Sequence, residues 1–133
     1  LSDYESLVHP IDSTIHIHQK GDVLEFLNDS DVIISFHSST AVVYALLSGK
    51  PVIICNFFDV KGDVFLERGL AVDCKEPSSL LTSINLALEK DPVTDQKRED
   101  FIREFMFKWD GCSAERICDK LIELFEKNNK SIK

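Results

Sequence analysis

The sequence predicts an α/β fold: a Rossmann-like three-layer sandwich with a mostly parallel sheet and a helical C-terminus. Short β-rich runs alternate with helical runs through the first half of the chain. The strand candidates at 31–36 and 51–55 lack a polar face, which is typical of strands covered on both sides in a parallel sheet. From residue 77 onward the pattern is helical. A length of 133 residues suits a single domain, 1–133.

The individual elements follow from apolar spacing and from turn residues. Short apolar runs bounded by polar or turn-forming residues predict strands at 14–18, 31–36, 51–55 and 70–73, and Leu7-Val8 is weighed as the end of a further strand. Apolar residues at helical spacing predict helices at about 21–28, 38–48, 63–68, 77–90, 95–108 and 113–127. The helix at 38–48 is apolar nearly all round and is therefore predicted to be buried, with Gly49 and Pro51 ending it. Trp109 is expected to pack its indole in a turn between two helices.

Composition and charge exclude several classes of protein. There are 15 Lys and Arg against 23 Asp and Glu, which gives a net charge of −8. Nucleic-acid and anionic-membrane surfaces need clustered basic residues, so neither is predicted as a partner. No apolar stretch approaches the roughly 20 residues of a membrane span, and residues 1–10 lack the pattern of a signal peptide. We therefore predict a cytoplasmic protein.

Metal binding and disulfide bonding are not predicted either. The four cysteines lack CxxC spacing, so we interpret them as reduced and mostly buried thiols. His16 and His18 share one face of the strand predicted at 14–18, but no third ligand with suitable spacing accompanies them. We expect no cofactor.

The strongest candidate site is the turn His37-Ser38-Ser39-Thr40, between a predicted strand and a predicted helix. Parallel α/β sheets bind ligands beyond the carboxyl ends of their strands. The first amides of a helix lack intrahelical acceptors and carry a partial positive charge, and neighbouring hydroxyls add donors for a phosphate. The alternative is that Ser38 or Ser39 simply caps the helix.

Two further groups are candidates at the same edge. His9, before Pro10, could donate a proton to a leaving group, because the pKa of histidine lies near neutrality; the alternative is a surface histidine before a turn. Asn56 or Asp59 could bind a sugar or ribose hydroxyl, with Phe57 and Phe58 forming a wall, or the pair of Phe could be core and Asp59 a turn residue. The glycines are too scattered for a dinucleotide or P-loop motif.

A family resemblance emerges from these residues. The segments 31–35, 38–41, 45–46 and 49–53 together resemble the C-terminal nucleotide-binding half of GT-B-type glycosyltransferases. The groups that it resembles are CDP-glycerol glycerophosphotransferases, polysialyltransferase-like enzymes and UDP-N-acetylglucosamine 2-epimerases. His9-Pro10 is similar to their HP motif, Ser38-Ser39 to their SS motif, and Asp110-Gly111 to their closing segment. The resemblance covers about residues 7–125.

The resemblance implies the donor-binding half of a cell-surface polysaccharide enzyme that uses a CMP-, CDP- or UDP-linked donor. It implies that His9 assists the departing phosphate, while Ser38 and Ser39 hold it. The acceptor would be held by an N-terminal half or a partner chain, and the parent protein could associate peripherally with a membrane.

Two departures from the family pattern leave alternatives open. The family's first βα unit and acceptor half are missing, so we expect a fragment of a two-domain protein that is inactive alone. Tyr44 stands where many members carry a ribose-binding Glu, which argues against ordinary UDP-sugar binding. A 2-epimerase-like isomerase and a non-catalytic α/β binding module remain the alternatives.

Overall fold

The computed structural model describes residues 2–90 and 93–130, and it has an α/β fold built on a three-stranded parallel sheet. The strands are β1 (Ile33–Ser35), β2 (Val52–Cys55) and β3 (Val72–Cys74), in the spatial order β1-β2-β3. The helices are α1 (Ser2–Val8), α2 (Val23–Asn28), α3 (Thr40–Leu47), α4 (Val64–Glu67), α5 (Leu80–Glu89), α6 (Asp95–Phe101) and α7 (Ser113–Lys130). A 3₁₀ turn (Pro77–Ser79) precedes α5, and a π-helical segment (Ile102–Met106) follows α6.

Helices cover both faces of the central strand. All four residues of β2 are buried, as predicted for a strand in the middle of a parallel sheet. Val52 and Ile54 join a cluster that contains α3 residues, whereas Ile53 packs on the opposite face with Ala87 of α5. Alternate side chains of a strand point to opposite faces, so one strand supplies both cores. The α/β prediction is confirmed at this level.

Local hydrogen bonds fix the end of α3, which follows β1, and the start of α4, which follows β2. Gly49 adopts φ 71° after α3, where its amide donates to the Leu46 carbonyl at 3.2 Å. This left-handed conformation is the one that favours glycine after a helix. Asp63 caps α4, because its Oδ1 accepts from the amides of Phe65 (3.0 Å) and Leu66 (3.2 Å).

Two cysteines face each other across the sheet. Cys55 of β2 and Cys74 of β3 are partners in the strand register, and both are buried. Burial, followed by the neighbouring Cys74, raises the pKa of the Cys55 thiol. Cys112 and Cys118 are exposed, so the prediction that most of the cysteines are buried is wrong for these two.

The two strands predicted before β1 are wrong. Residues 15–18 are irregular, because no neighbouring strand pairs with them; instead the His18 ring lies 4.5 Å from the ring of Phe26. The amide of Thr14 donates to Asp12 Oδ1 at 2.8 Å, which closes a turn where the strand was expected. Leu7-Val8 belongs to α1, and the His9 amide continues its helical bonding to the Glu5 carbonyl.

On three elements, β1, α3 and α5, some side chains that were predicted to be buried are exposed. Ile34 of β1 is 42% exposed, because α5 packs over β2 and β3 and covers the same side of β1 less. Only part of α3 is buried: Tyr44 on its outer side is 37% exposed. On α5 the expected core stripe included side chains that are exposed, namely Leu81, Leu86 and Leu88.

The helix predicted at 95–108 does not continue as one regular α-helix. The helix expected at 95–108 changes to π-helical bonding after α6 and ends at Phe107, whose φ is 62°. Trp109 is 56% exposed, so the prediction of a packed indole is wrong. In the described ranges, no helix combines the length and the apolar character that crossing a membrane requires.

Candidate functional site

The turn between β1 and α3 holds the first predicted site. Ser39 is the N-cap residue of α3 with extended φ and ψ, yet its side chain makes no capping hydrogen bond. In the part of the chain that the structure describes, no acceptor satisfies the amides of Ser38, Ser39, Thr40 and Ala41. The three hydroxyl residues are exposed. The expected cap is therefore absent, and the helix presents open amides with a partial positive charge.

His37 shapes this turn through its backbone. Its φ of 67° lies in the left-handed region that non-glycine residues rarely adopt. The Ser35 hydroxyl donates to the His37 carbonyl at 3.1 Å, which holds the strained residue in place. The side chain of His37 is exposed. His37 therefore sets the path of the chain from β1 into α3.

A hydrogen bond joins the turn to the next loop along the sheet. The Ser38 hydroxyl donates to Asp63 Oδ2 at 2.7 Å, while the other carboxylate oxygen of Asp63 caps α4. The Ser38 hydroxyl is thus committed to an acidic group and is not a free phosphate donor. The donors left at the turn are the amides together with the hydroxyls of Ser39 and Thr40.

A polar cavity lies beyond the carboxyl ends of β2 and β3. Its volume is about 210 Å³. Four carboxylates and two ammonium groups line it, together with Asn56 and apolar or glycine residues: Asp59, Asp63, Glu67, Asp73, Lys61 and Lys75. Asp63 therefore belongs both to this cavity and to the turn before α3. Carboxylates in such a setting accept hydrogen bonds from hydroxyl groups.

Asn56 and Asp59 both line this cavity, but they differ in role. Asn56 is 4% exposed, and its side chain is used within the loop: Oδ1 accepts from the Val60 amide at 2.7 Å and Nδ2 donates to the Val60 carbonyl at 3.3 Å. Asp59 is exposed and forms ion pairs with Lys61 (2.7 Å) and Lys75 (3.8 Å). The hydrogen bond from Lys61 is the main cause that lowers the pKa of Asp59. Asn56 builds the loop, and Asp59 offers an ionised carboxylate.

The phenylalanines after β2 are divided between core and surface. Phe57 packs against the second core cluster and meets Phe36 edge to face at 5.6 Å. Phe58 is 82% exposed. Neither ring lines the cavity, so the pocket wall expected from this pair is not formed there.

His9 is not brought to either part of the site. It lies exposed after α1, and its backbone amide bonds to the Glu5 carbonyl. Within residues 2–90 and 93–130, no hydrogen bond, ion pair or ring contact joins His9 to the turn before α3. The phosphate-assisting role expected for His9 receives no support from its position.

Sequence reasoning found Asp59 but missed the other charged residues that line the cavity. Asp73 and Lys75 flank the end of β3, so the rule that ligands bind at carboxyl ends could have pointed to them. Asp63 carries a local signal as a helix cap, but its bond to Ser38 spans 25 residues and depends on tertiary structure.

Metal ligation finds no support in the described ranges, where no group of three His, Cys, Asp or Glu side chains is placed to hold a metal ion. Comparisons with models of protein families, with curated proteins and with solved structures find no match to this chain.

Proposed function

We propose that the chain is the donor-nucleotide-binding half of a glycosyltransferase or glycerophosphotransferase-like enzyme. The proposal depends chiefly on one observation: consecutive amides at the start of α3 lack acceptors, and Ser38 of the same turn bonds to Asp63, which lines the polar cavity. Backbone amides at a helix start point at an anion and, with the helix dipole, favour the binding of phosphate. The resemblance of this turn to the SS motif is the reason to propose a nucleotide-activated donor as the source of that phosphate.

The cavity complements such a donor. Its carboxylates would accept hydrogen bonds from ribose, sugar or glycerol hydroxyls, and Lys61 and Lys75, which pair with Asp59, offset part of the carboxylate charge. Its volume of about 210 Å³ is below the roughly 300–1,000 Å³ of sites for drug-sized ligands. The cavity would therefore hold a single ring, and the remaining contacts of the donor would come from a second half or a partner chain.

The chemical contribution of this half would be electrostatic. Transfer from a nucleotide-activated donor places negative charge on the departing phosphate. Fixed amide donors at the start of α3 would stabilise that charge in the transition state. His9 has no step in the proposal, because no contact connects it to the turn.

A second candidate function is a non-catalytic α/β binding module. The hydrogen bond between Ser38 and Asp63 favours it, because this bond uses one hydroxyl and places a carboxylate near the anion site. Such a module would not distinguish cytidine from uridine nucleotides.

The test is a titration of the chain with CMP, CDP and UDP, followed by NMR of the amides from Ser38 to Ala41. We expect saturable shifts in these amides, larger with the cytidine nucleotides. No shift with any nucleotide would refute the proposal, and equal shifts with all three would favour the binding module.

A matched pair of variants separates binding from folding. Ser39→Asp places a carboxylate at the phosphate position and is an equally good helix cap, so binding should be lost while stability is kept. Thr94→Asp adds the same charge at the N-cap of α6, away from the site, and should bind as the parent does. Nucleotide binding by Ser39→Asp at the parent's affinity would exclude this turn as the site.

A further inference from the structure

The thiols of Cys55 and Cys74 lie side by side at the carboxyl ends of β2 and β3. The two residues are register partners, and the amide of Asn56 donates to the Cys74 carbonyl at 2.8 Å, which holds the strand ends together. Cys74 packs in one core cluster with Ile53, which lies two residues before Cys55 and therefore on the same face of β2. Both side chains thus lie on the face that α5 covers. Only the fold brings the two cysteines together, because residues 56–73 separate them in the sequence.

The spacing of the two strands fits a disulfide bond that carries some strain. Neighbouring strands lie about 4.7–4.9 Å apart, whereas bridged cysteines have Cα atoms about 4.4–6.8 Å apart and Cβ atoms about 3.5–4.5 Å apart. The strand register therefore meets the Cα spacing, but the Cβ atoms, which project side by side from one face, must approach slightly. Disulfides under strain are easier to reduce than relaxed ones. The geometry of the sheet therefore favours a bond that forms and breaks reversibly.

We propose that Cys55 and Cys74 form a reversible disulfide that joins β2 to β3 under oxidising conditions. In exchange with oxidised glutathione, the thiolate of one cysteine attacks a glutathione sulfur, forms a mixed disulfide and releases one glutathione. The second cysteine then attacks the protein sulfur of the mixed disulfide and releases the second glutathione. The two cysteines lose two protons and two electrons, and the two glutathione thiols carry them away.

The surroundings of the reduced pair make this exchange slow. The Cys74 thiol donates to the Glu76 carbonyl at 3.4 Å, and its sulfur lies 3.5 Å from the Ser79 hydroxyl oxygen. Burial is the largest cause that raises the pKa of the Cys55 thiol, so little thiolate is present near neutral pH. Exchange therefore requires the strand ends to open, and its rate should rise with pH. The pair responds to sustained oxidising conditions rather than to a brief exposure.

The bond would enclose the segment that lines the polar cavity without filling the cavity. Most of the lining residues lie within 56–73, and Leu66 and Glu67 of α4 are among them. The helix α4 packs in the other core cluster, on the face of the sheet opposite Cys74. Oxidation would therefore keep the ends of β2 and β3 from separating while the cavity stays open. No ligand takes part in this chemistry, so the disulfide and the proposed function can each fail without the other.

The test uses the full chain with the two exposed cysteines replaced, by Cys112→Ser and Cys118→Ser. This chain is equilibrated without denaturant, at slightly alkaline pH, in mixtures of reduced and oxidised glutathione; it is then unfolded, alkylated and weighed by mass spectrometry. As oxidised glutathione increases, we expect both thiols to disappear together, with loss of the mass of two hydrogen atoms, and to return in excess reduced glutathione. Two free thiols throughout, glutathione attached without the internal bond, or a bond that excess reduced glutathione cannot break would overturn the proposal.

Urea denaturation tests whether the native sheet accommodates the bond. Closing a loop of about 20 residues lowers the equilibrium constant of unfolding by up to about 250-fold in the chain-entropy model, and strain reduces that gain. We expect the oxidised chain to unfold with a constant about 10–200 times lower than the reduced chain. The matched control is Cys55→Ala in the same background, which keeps Cys74 and should gain no stability from oxidised glutathione. A smaller gain in the oxidised parent would show that the folded sheet does not hold the bond, and would contradict the proposal.

Discussion

Asp63 places one negative charge beside the amides proposed to bind phosphate, so its removal should strengthen anion binding. Its Oδ2 accepts from the Ser38 hydroxyl at 2.7 Å. Asp63→Asn removes the charge and keeps the oxygen that caps α4, while its new amide nitrogen can donate to the Ser38 hydroxyl in place of the lost acceptor. Since Asn and Asp are nearly equal as helix caps, the free energy of unfolding should change by less than about 1 kcal/mol.

The expected size of the effect follows from Coulomb's law. A phosphate on the first amides of α3 would lie roughly 6–8 Å from the Asp63 carboxylate, where unit charges repel by about 0.6 kcal/mol in water and about 2.4 kcal/mol near a protein surface. Salt screens part of this repulsion. Asp63→Asn should therefore bind CDP about three to ten times more tightly than the parent.

Calorimetric titration with CDP at low salt measures the change, and urea denaturation checks the fold. Asp22→Asn is the matched control, because Asp22 caps α2 by accepting from the Leu24 amide at 2.8 Å and does not line the cavity. Its affinity for CDP should equal that of the parent. Unchanged or weaker binding by a folded Asp63→Asn variant would refute the location of the phosphate.

Two further predictions concern stability. Leu46 is 1% exposed in the larger core cluster, so Leu46→Ala should lower the free energy of unfolding by about 2–5 kcal/mol. Urea denaturation measures this change, and a loss below about 1 kcal/mol would contradict the packing described. The hydrogen bond from Arg68 lowers the pKa of Glu104. The pair therefore stabilises the fold at a pH above the pKa of Glu104 in the unfolded chain, and this contribution is lost as the pH falls through its pKa in the folded chain. Arg68→Met should therefore reduce the difference in stability between pH 7 and pH 3, and an unchanged difference would show that the pair contributes nothing.

The sheet was predictable where a strand is buried on both faces or ended by turn residues. Residues 51–55 have no polar position, and Gly49 and Pro51 separate them from α3, so β2 was located correctly. The strand predicted at 14–18 failed because an alternating pattern indicates a strand only if a neighbour is there to pair with it. No local signal at 14–18 shows whether that neighbour exists.

The candidate site was predictable only in part, and for a similar reason. The turn at 37–40 follows β1 directly, so the sequence and the rule about carboxyl ends were enough to find it. That Asp63 would accept from Ser38, and that the capping bond of Ser39 would be missing, depends on how two loops meet. The segment of α7 was predicted as an ordinary amphipathic helix, but its apolar side chains are exposed, because periodicity shows which side of a helix is apolar and not what covers that side.

The neighbouring thiols of Cys55 and Cys74 can be used to detect unfolding of the sheet. Both lie on neighbouring strands under packed helices, and the raised pKa of Cys55 keeps its thiol protonated near neutral pH. Thiolates, rather than thiols, react with alkylating reagents. Covalent labelling of these two positions therefore requires the strands to part from their helices, and its rate measures how often the centre of the molecule unfolds.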